Sequence, residues 1–256
     1  MIFVAAGTKD GRELADFLQS HGFAVTASAV TEYGGELLKK NPALAVNNKP
    51  LDTAGLIAYL REINATAIID ATHPYAKNAS QNAIAAGKAL ALPYMRYERP
   101  AAAVTYENVC CVADYAAAAA KCAAMPWQNI FLTTGSNNLK IFADALPNKR
   151  LIARVLPSAK IIAECLALGL TPADIIAMQG PFSQKLNEEM FRCVNADVII
   201  TKNSGALGGT DTKTAAAAAL NLPVVMIERP QIDYPAVASS NEEVLKFLTA
   251  VVQRQE

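Results

Sequence analysis

"LALPYMRYERP" at residues 90–100 and "LNLPVVMIERP" at residues 220–230 are two versions of one phrase. Each leaves an alanine-rich stretch through Leu-Pro, runs through apolar and aromatic residues and stops at Glu-Arg-Pro. Proline cannot continue a helix, and β-branched or aromatic runs of this length favour strands. Each phrase therefore reads as a helix end, a buried strand and a sharp exit. A second pair, "FVAAGTKDGRELADFL" (3–18) and "FLTTGSNNLKIFADAL" (131–146), repeats a strand, Gly-Thr or Gly-Ser, and a helix carrying Ala-Asp. The two pairs are separated by 130 and 128 residues, a period too long for a solenoid. Two related units are implied.

The same alternation extends outward from these anchors. Short apolar runs at 2–6, 23–30, 67–71, 94–98, 106–112, 129–134, 150–155, 174–178, 197–202 and 223–227 read as strands. Helical patterns near 10–20, 52–63, 76–90, 113–124, 136–145, 158–169, 183–193, 212–220 and 241–253 lie between them. Apolar strands alternating with helices predict parallel sheets covered on both faces. The expected fold is α/β: two Rossmann-like parallel-sheet domains with a cleft between them. The natural cut lies near 99–105, giving an N-terminal domain 1–100 on the cofactor side and a C-terminal domain 101–256 on the substrate side.

Composition narrows the function. The chain has 256 residues, 52% hydrophobic and 18% charged, which suits a globular protein with sizeable cores. Lys plus Arg and Asp plus Glu both number 23, arguing against general nucleic-acid or anionic-membrane binding. The opening "MIFVAAGTKDG" is too short and lacks the basic flank of a signal peptide, and no run reaches transmembrane length. Five cysteines without metal-type spacing suit a reducing compartment, so a cytoplasmic enzyme is expected. No Cys/His cluster supports a metal, and no G-x-S-x-G elbow supports a serine hydrolase. The sequence does not reveal the oligomeric state.

In open parallel sheets, ligands bind beyond the carboxyl ends of the strands. Here the exits "AAGTKDG", "AVTEYGG", "DATHPYA", "TTGSNNL", "RVLPSAK", "MQGPFSQ" and "TKNSGALGGTDTK" are rich in Gly, Ser, Thr or Asn and lead into helices. Each offers backbone N–H groups to an anion. Each also reads as an ordinary turn with a helix cap, and Thr8, Ser136, Ser158 and Ser183 are suitable caps.

Within these loops, Gly7 and Thr8 follow the first strand without a full G-x-G-x-x-G. Glu32 lies 25 residues beyond Gly7, at the end of the second strand. An acid there either bonds an adenine ribose 2′-hydroxyl, favouring NADH over NADPH, or is a plain surface group. Ser204 and Gly205 begin a glycine-rich loop between Lys202 and Lys213 that could form an anion nest. Of the two histidines, His21 in "QSHGF" closes a helix. His73 stands at a strand exit, where an imidazole can donate a proton or bind an anion.

With "DATHPYA" the chain resembles the precorrin-6A reductase family of cobalamin biosynthesis. "GTKDGRELA", "TTGSNNL", "RVLP", "GPFS", "ITKNSGALGGTDTK" and "PVVMIERP" follow in that family's order, so the resemblance covers essentially the whole chain. It implies two α/β domains, a nicotinamide cofactor and a tetrapyrrole substrate. The implied reaction reduces one double bond of precorrin-6A, or its cobalt complex, to precorrin-6B. Where NADPH-using relatives carry a Ser-Ala-Gly-Arg type segment, this chain has "TEYGGELL", which favours NADH.

On this reading His73 is the proton donor or substrate-orienting group, with Tyr75 and Asp70 as helpers and Tyr75 opening the next helix. Gly7, Thr8, Glu32, Ser204 and Gly205 serve the cofactor. Arg154, Lys202, Lys213 and Arg229 meet the substrate's carboxylates. The competing readings are a tetrapyrrole-binding protein without chemistry and a cofactor-free tetrapyrrole synthase or lyase.

Overall fold

The computed structural model describes residues 1–30, 32–98, 100, 104–205 and 208–253. The chain forms two compact units, Met1–Pro100 with Gln231–Glu256, and Ala101–Pro230. The first unit begins with β1 (Ile2–Ala5), α1 (Lys9–Ser20), β2 (Val25–Ser28), α2 (Glu32–Leu38) and β3 (Ala45–Asn47). It continues with α3 (Thr53–Glu62), β4 (Ala67–Asp70), α4 (Lys77–Leu90) and β5 (Tyr94–Tyr97). The second unit begins with β6 (Val109–Val112), α5 (Tyr115–Ala124), β7 (Asn129–Leu132), α6 (Leu139–Ala145) and β8 (Arg150–Val155). It continues with α7 (Ala159–Ala167), β9 (Ile175–Ala177), α8 (Gln184–Cys193), β10 (Val198–Lys202), α9 (Thr210–Ala219) and β11 (Val224–Ile227). The chain then returns to the first unit as β12 (Val237–Ala238) and α10 (Asn241–Gln253).

Both sheets are six-stranded and parallel, in the orders β3-β2-β1-β4-β5-β12 and β9-β8-β7-β10-β11-β6. These are the same doubly wound arrangement. The strand following the first Glu-Arg-Pro, β6, closes the second sheet beside β11. The strand following the second Glu-Arg-Pro, β12, closes the first sheet beside β5. Each half of the repeat thus gives its last strand to the other unit. The expected domain 101–256 is corrected accordingly: residues 231–256 belong with the first unit. Pairing decides this, because β5 would otherwise present an open edge.

The period-two alternation of buried strands explains the helices on both faces of the first sheet. Ile2, Val4 and Ile69 face α1 (Leu14, Leu18) and α10 (Val244, Leu248). Phe3, Ile68 and Tyr94 face α3 (Leu56, Leu60) and α4 (Ala83, Ala86). In the second unit, Phe131, Ile152 and Ile199 pack with α8 (Met190, Phe191) and α9 (Ala216, Ala217). Three elements carry no sequence pattern of their own: three-residue β3, two-residue β12, and α2, whose "EYGGELL" holds two glycines. Among the described residues, no helix is long and apolar enough to cross a membrane.

Candidate functional site

In the first unit, β1 leaves the sheet at Ala6-Gly7-Thr8. Thr8 is the N-cap of α1: its Oγ1 accepts from the Gly11 amide at 2.9 Å and donates to the Ala71 carbonyl at 3.0 Å. One hydroxyl therefore ties the β1 exit to the β4 exit. Gly11 makes that approach possible, because a Cβ there would lie 2.9 Å from Ala6 Cα and 3.0 Å from the Ala71 carbonyl oxygen. Gly7 is different: it is exposed, and a Cβ there would meet nothing within 4 Å. Space for a ligand to approach the backbone exists at Gly7.

The β4 exit is organised by a buried polar network. Asp70 and Arg96 are register partners on β4 and β5, 0% and 1% exposed, with Arg96 Nη1 donating to Asp70 Oδ1 at 3.0 Å. Asp70 Oδ1 also accepts from the Thr72 amide at 3.0 Å and the Thr72 hydroxyl at 2.7 Å, and Oδ2 accepts from Tyr94 at 2.7 Å. Arg96 donates further to Thr72 Oγ1 at 3.0 Å and Glu98 Oε2 at 2.9 Å, and lies 5.4 Å from the Tyr234 ring centre. Burial by itself would raise the Asp70 carboxyl; Arg96 and the hydroxyls of Ser80 and Thr72 outweigh it and hold the pKa below the usual value. Arg96, Tyr94 and Tyr234 escaped the sequence reading. Their connection to Asp70 becomes visible only with strand register.

His73 follows this network directly and is half-buried. Its Nδ1 accepts from the Tyr75 amide at 3.3 Å, and its carbonyl accepts from the Ala76 amide at 2.7 Å. With Nδ1 accepting, the neutral ring carries its proton on Nε2. The two rings lie 5.7 Å apart. Tyr75 sits in the turn, since α4 begins at Lys77 behind an Ala76 N-cap that makes no side-chain bond. Asp70, having no exposed surface, acts here through Thr72 and Arg96, not at a ligand. Glu32 opens α2 instead of ending β2, and its side chain falls outside the described residues.

In the second unit the cations converge. Arg154, 8% exposed at the end of β8, donates from Nη1 to Asn187 Oδ1 at 2.7 Å and stacks 4.2 Å from the Phe182 ring centre. Lys202 ends β10 and donates to the Thr134 carbonyl at 3.0 Å. Lys213, in the first turns of α9, is 6% exposed. Burial lowers all three pKa values: Arg154 to about 10, Lys202 to about 8 and Lys213 to about 7. For Lys213 the charges of Arg154 and Lys202 add to burial, and Asp211 opposes them.

Arg229 is half-buried beyond β11, with Nε donating to the Asn203 carbonyl at 2.9 Å. Ser204 follows, its amide bonded to the Lys202 carbonyl at 2.9 Å, and Gly205 takes φ +79°, which suits glycine. Gly208 is closely fitted, as a Cβ there would lie 2.3 Å from Ser204 Cβ. Residues 206 and 207 of this loop lie outside the described set. Of the suggested caps, Thr8 and Ser183 bond helix amides, whereas Ser158 makes no cap bond and α6 is preceded by Asn138. Among the described residues, no three His, Cys, Asp or Glu side chains form a metal-ligand group.

Residues 1–249 match the family model described as precorrin-6x reductase CbiJ/CobK. The chain is 39% identical over 251 residues to the cobalt-precorrin-6A reductase of Priestia megaterium, covering 97% of this chain and 98% of that one. It is 37% identical over 248 residues to the cobalt-precorrin-6A reductase of Methanocaldococcus jannaschii, covering 96% and 97%. A solved CobK precorrin-6A reductase structure superposes with a TM-score of 0.79 at 28% identity, covering 98% of this chain and 96% of that one. Two parallel doubly wound sheets and similarity over nearly the whole length agree: the chain belongs to the precorrin-6x reductase CbiJ/CobK family, oxidoreductases of cobalamin biosynthesis.

Proposed function

We propose that this protein reduces one ring-system double bond of precorrin-6A or cobalt-precorrin-6A, using a reduced nicotinamide cofactor, with NADH favoured over NADPH. The observation that carries this reading is the His73 turn, a half-buried imidazole on a strand exit held in place by the Asp70–Arg96 network. A strand that only fills a core has no use for such an arrangement.

The first unit fits a nicotinamide cofactor in two respects: the strand order of its sheet, and the open space at Gly7 beside the capped start of α1. Gly7 and Thr8 would hold the cofactor there. Glu32, the first residue of α2 after the strand next to β1, would meet the adenine ribose. The absence of an arginine in "TEYGGELL" supports NADH. When bound, the cofactor supplies a hydride.

The residues of the chain supply orientation and a proton. In its charged, doubly protonated form His73 can pass one ring proton to the carbon neighbouring the reduced position and is left as the neutral imidazole. Tyr75 flanks it, and Asp70 positions the turn from beneath. Arg154, Lys202 and Lys213 bind substrate carboxylates, while Arg229 supports the loop that carries Asn203 and Ser204. No binding of NADH or NADPH in calorimetric titrations would remove the reductase reading in favour of a cofactor-free one. A preference for NADPH would overturn the role of Glu32 alone.

A further inference from the structure

α1, α3, α5 and α8 each begin with a side-chain cap, from Thr8, Asp52, Asp114 and Ser183. α4 does not: Ala76 stands at its N-cap and makes no side-chain bond, although this is the helix that the His73 turn opens. An uncapped first turn frays, because its leading amides lack acceptors. The hold of α4 on the strand exit comes instead from Ser80, one turn in. Ser80 is 1% exposed. Its hydroxyl bonds the Asp70 carboxylate, lies 3.3 Å from Thr72 Oγ1 and shares a hydrogen bond with the Tyr234 hydroxyl. A hydroxyl has one proton and two lone pairs, so donation to the carboxylate leaves it able to accept from the phenol.

Tyr234 reaches Ser80 from the far end of the chain, on the segment between β11 and β12. Backbone bonds hold that segment in the first unit: the Arg96 amide donates to the Ala236 carbonyl at 2.8 Å, and the Glu98 amide to the Ala238 carbonyl at 2.9 Å. The Tyr234 ring is half-buried against the Phe3, Ile68 and Tyr94 cluster, with the Arg96 guanidinium 5.4 Å from its centre. Packing and the guanidinium contact need only the ring, which phenylalanine would supply equally. The hydroxyl is spent on Ser80, and through it on the group directly beneath His73.

We infer that Tyr234 is a positioning residue for the reduction: through Ser80 it fixes Asp70 and Thr72, and so holds the His73 imidazole in one orientation and one tautomer. Thr72 leads directly into His73, whose Nδ1 accepts from the Tyr75 amide at 3.3 Å. That bond is already at the long end of the normal range, so a shift of a few tenths of an ångström in the turn breaks it. The inference rests on the reading of the chain as a reductase in which His73 moves the proton. It gives the returning segment a part in the chemistry of the first unit besides closing its sheet.

The chain has two histidines, so isotopic labelling of histidine nitrogen gives two ring signals sets by nuclear magnetic resonance, which His73→Ala assigns. His21, with Nδ1 2.8 Å from the Phe17 carbonyl at the end of α1, is the internal control. Above the imidazole titration range, a ring held in one tautomer shows two widely separated nitrogen shifts, and a ring exchanging between tautomers shows shifts drawn together. In the unliganded wild type His73 shows the single Nε2–H tautomer. In Tyr234→Phe, which keeps the ring beside Arg96, and in Ser80→Ala the two His73 shifts converge while those of His21 stay in place. Under turnover with cobalt-precorrin-6A, Tyr234→Phe lowers kcat by about tenfold, within the roughly hundredfold that a misplaced group can cost, while KM for the nicotinamide stays within about twofold. Adding Tyr234→Phe to Ser80→Ala lowers kcat no further, because Tyr234 acts through Ser80. Thermal melts confirm that each variant is folded, and Tyr234→Phe, at a half-buried position, carries the test alone should Ser80→Ala fail to fold. His73 shifts unchanged in folded Tyr234→Phe, additive losses in the double variant, or a loss confined to the nicotinamide KM would each overturn the inference. The nitrogen shifts need no turnover, so a protein that shows this convergence without reducing a tetrapyrrole leaves the hold of Tyr234 on His73 standing and removes only the reductase reading.

Discussion

Replacing Arg96 by methionine removes the charge at the centre of the first unit while keeping an unbranched apolar stem. Arg96 is 1% exposed and donates to Asp70 Oδ1, Thr72 Oγ1 and Glu98 Oε2 at 3.0, 3.0 and 2.9 Å. Without it, Asp70 remains a fully buried carboxylate supported only by the hydroxyls of Tyr94, Thr72 and Ser80 and the Thr72 amide. Breaking a buried pair from one side costs about 3–5 kcal/mol, because the remaining charge is uncompensated. At roughly 3–4 °C per kcal/mol for a unit of this size, the melting transition of the first unit falls by about 10–20 °C.

The pH dependence is the sharper test. In the wild type the Asp70 pKa is lowered, so its contribution is present above the unfolded carboxyl value and lost as pH falls through the folded one. In Arg96→Met, burial is opposed only by the remaining hydrogen bonds, and the folded pKa rises above the unfolded one. Its penalty is then relieved as pH falls. The wild type should lose stability on acidification from about pH 5 to 3, through the unfolded carboxyl value and towards the lower folded one, and the variant should lose less or gain. Denaturant melts at several pH values, with Asp70→Asn/Arg96→Met as the double variant, measure this. A loss below about 1 kcal/mol, or parallel pH profiles for wild type and variant, would refute the assignment of Arg96 as the partner that makes Asp70 tolerable.

Gly11→Ala places a methyl against the Ala6 backbone and the Ala71 carbonyl, costing about 1–3 kcal/mol in denaturant melts and loosening the turn that precedes His73. His73→Ala should lower turnover by about a hundredfold or more with folding intact, and a loss under tenfold would leave His73 a binding role only. Lys213 has a folded pKa of about 7, below its unfolded value, so wild-type stability rises from pH 7 to 9. Lys213→Met should flatten that rise in pH-dependent thermal melts. Truncation after Pro230 removes β12 and the Val244 and Leu248 contacts of α10, and circular dichroism should show the first unit unfolded.

Much of the fold is legible because the repeat is direct: each Leu-Pro strand and each Gly-Thr or Gly-Ser turn marks one βα unit. The exchange of last strands is not legible. "VA" at 237–238 is too short to carry a period, and its pairing with β5 is a three-dimensional fact. The same limit governs the site. His73 stands out in sequence because a histidine at a strand exit is unusual. Asp70 resembles a catalytic helper until register sets Arg96 beside it. "TDTKTAAAAA" marks Lys213 as a candidate cation, but that it is 6% exposed, with the charges of Arg154 and Lys202 bearing on it, is visible only once β8, β10 and α9 are assembled.

The central claim is most directly tested by anaerobic incubation of the pure protein with cobalt-precorrin-6A and NADH, following nicotinamide absorbance and product mass together. The account predicts one nicotinamide oxidised per tetrapyrrole, with the product heavier by two hydrogens. A tetrapyrrole recovered unchanged in mass, in the presence of either NADH or NADPH, would contradict it.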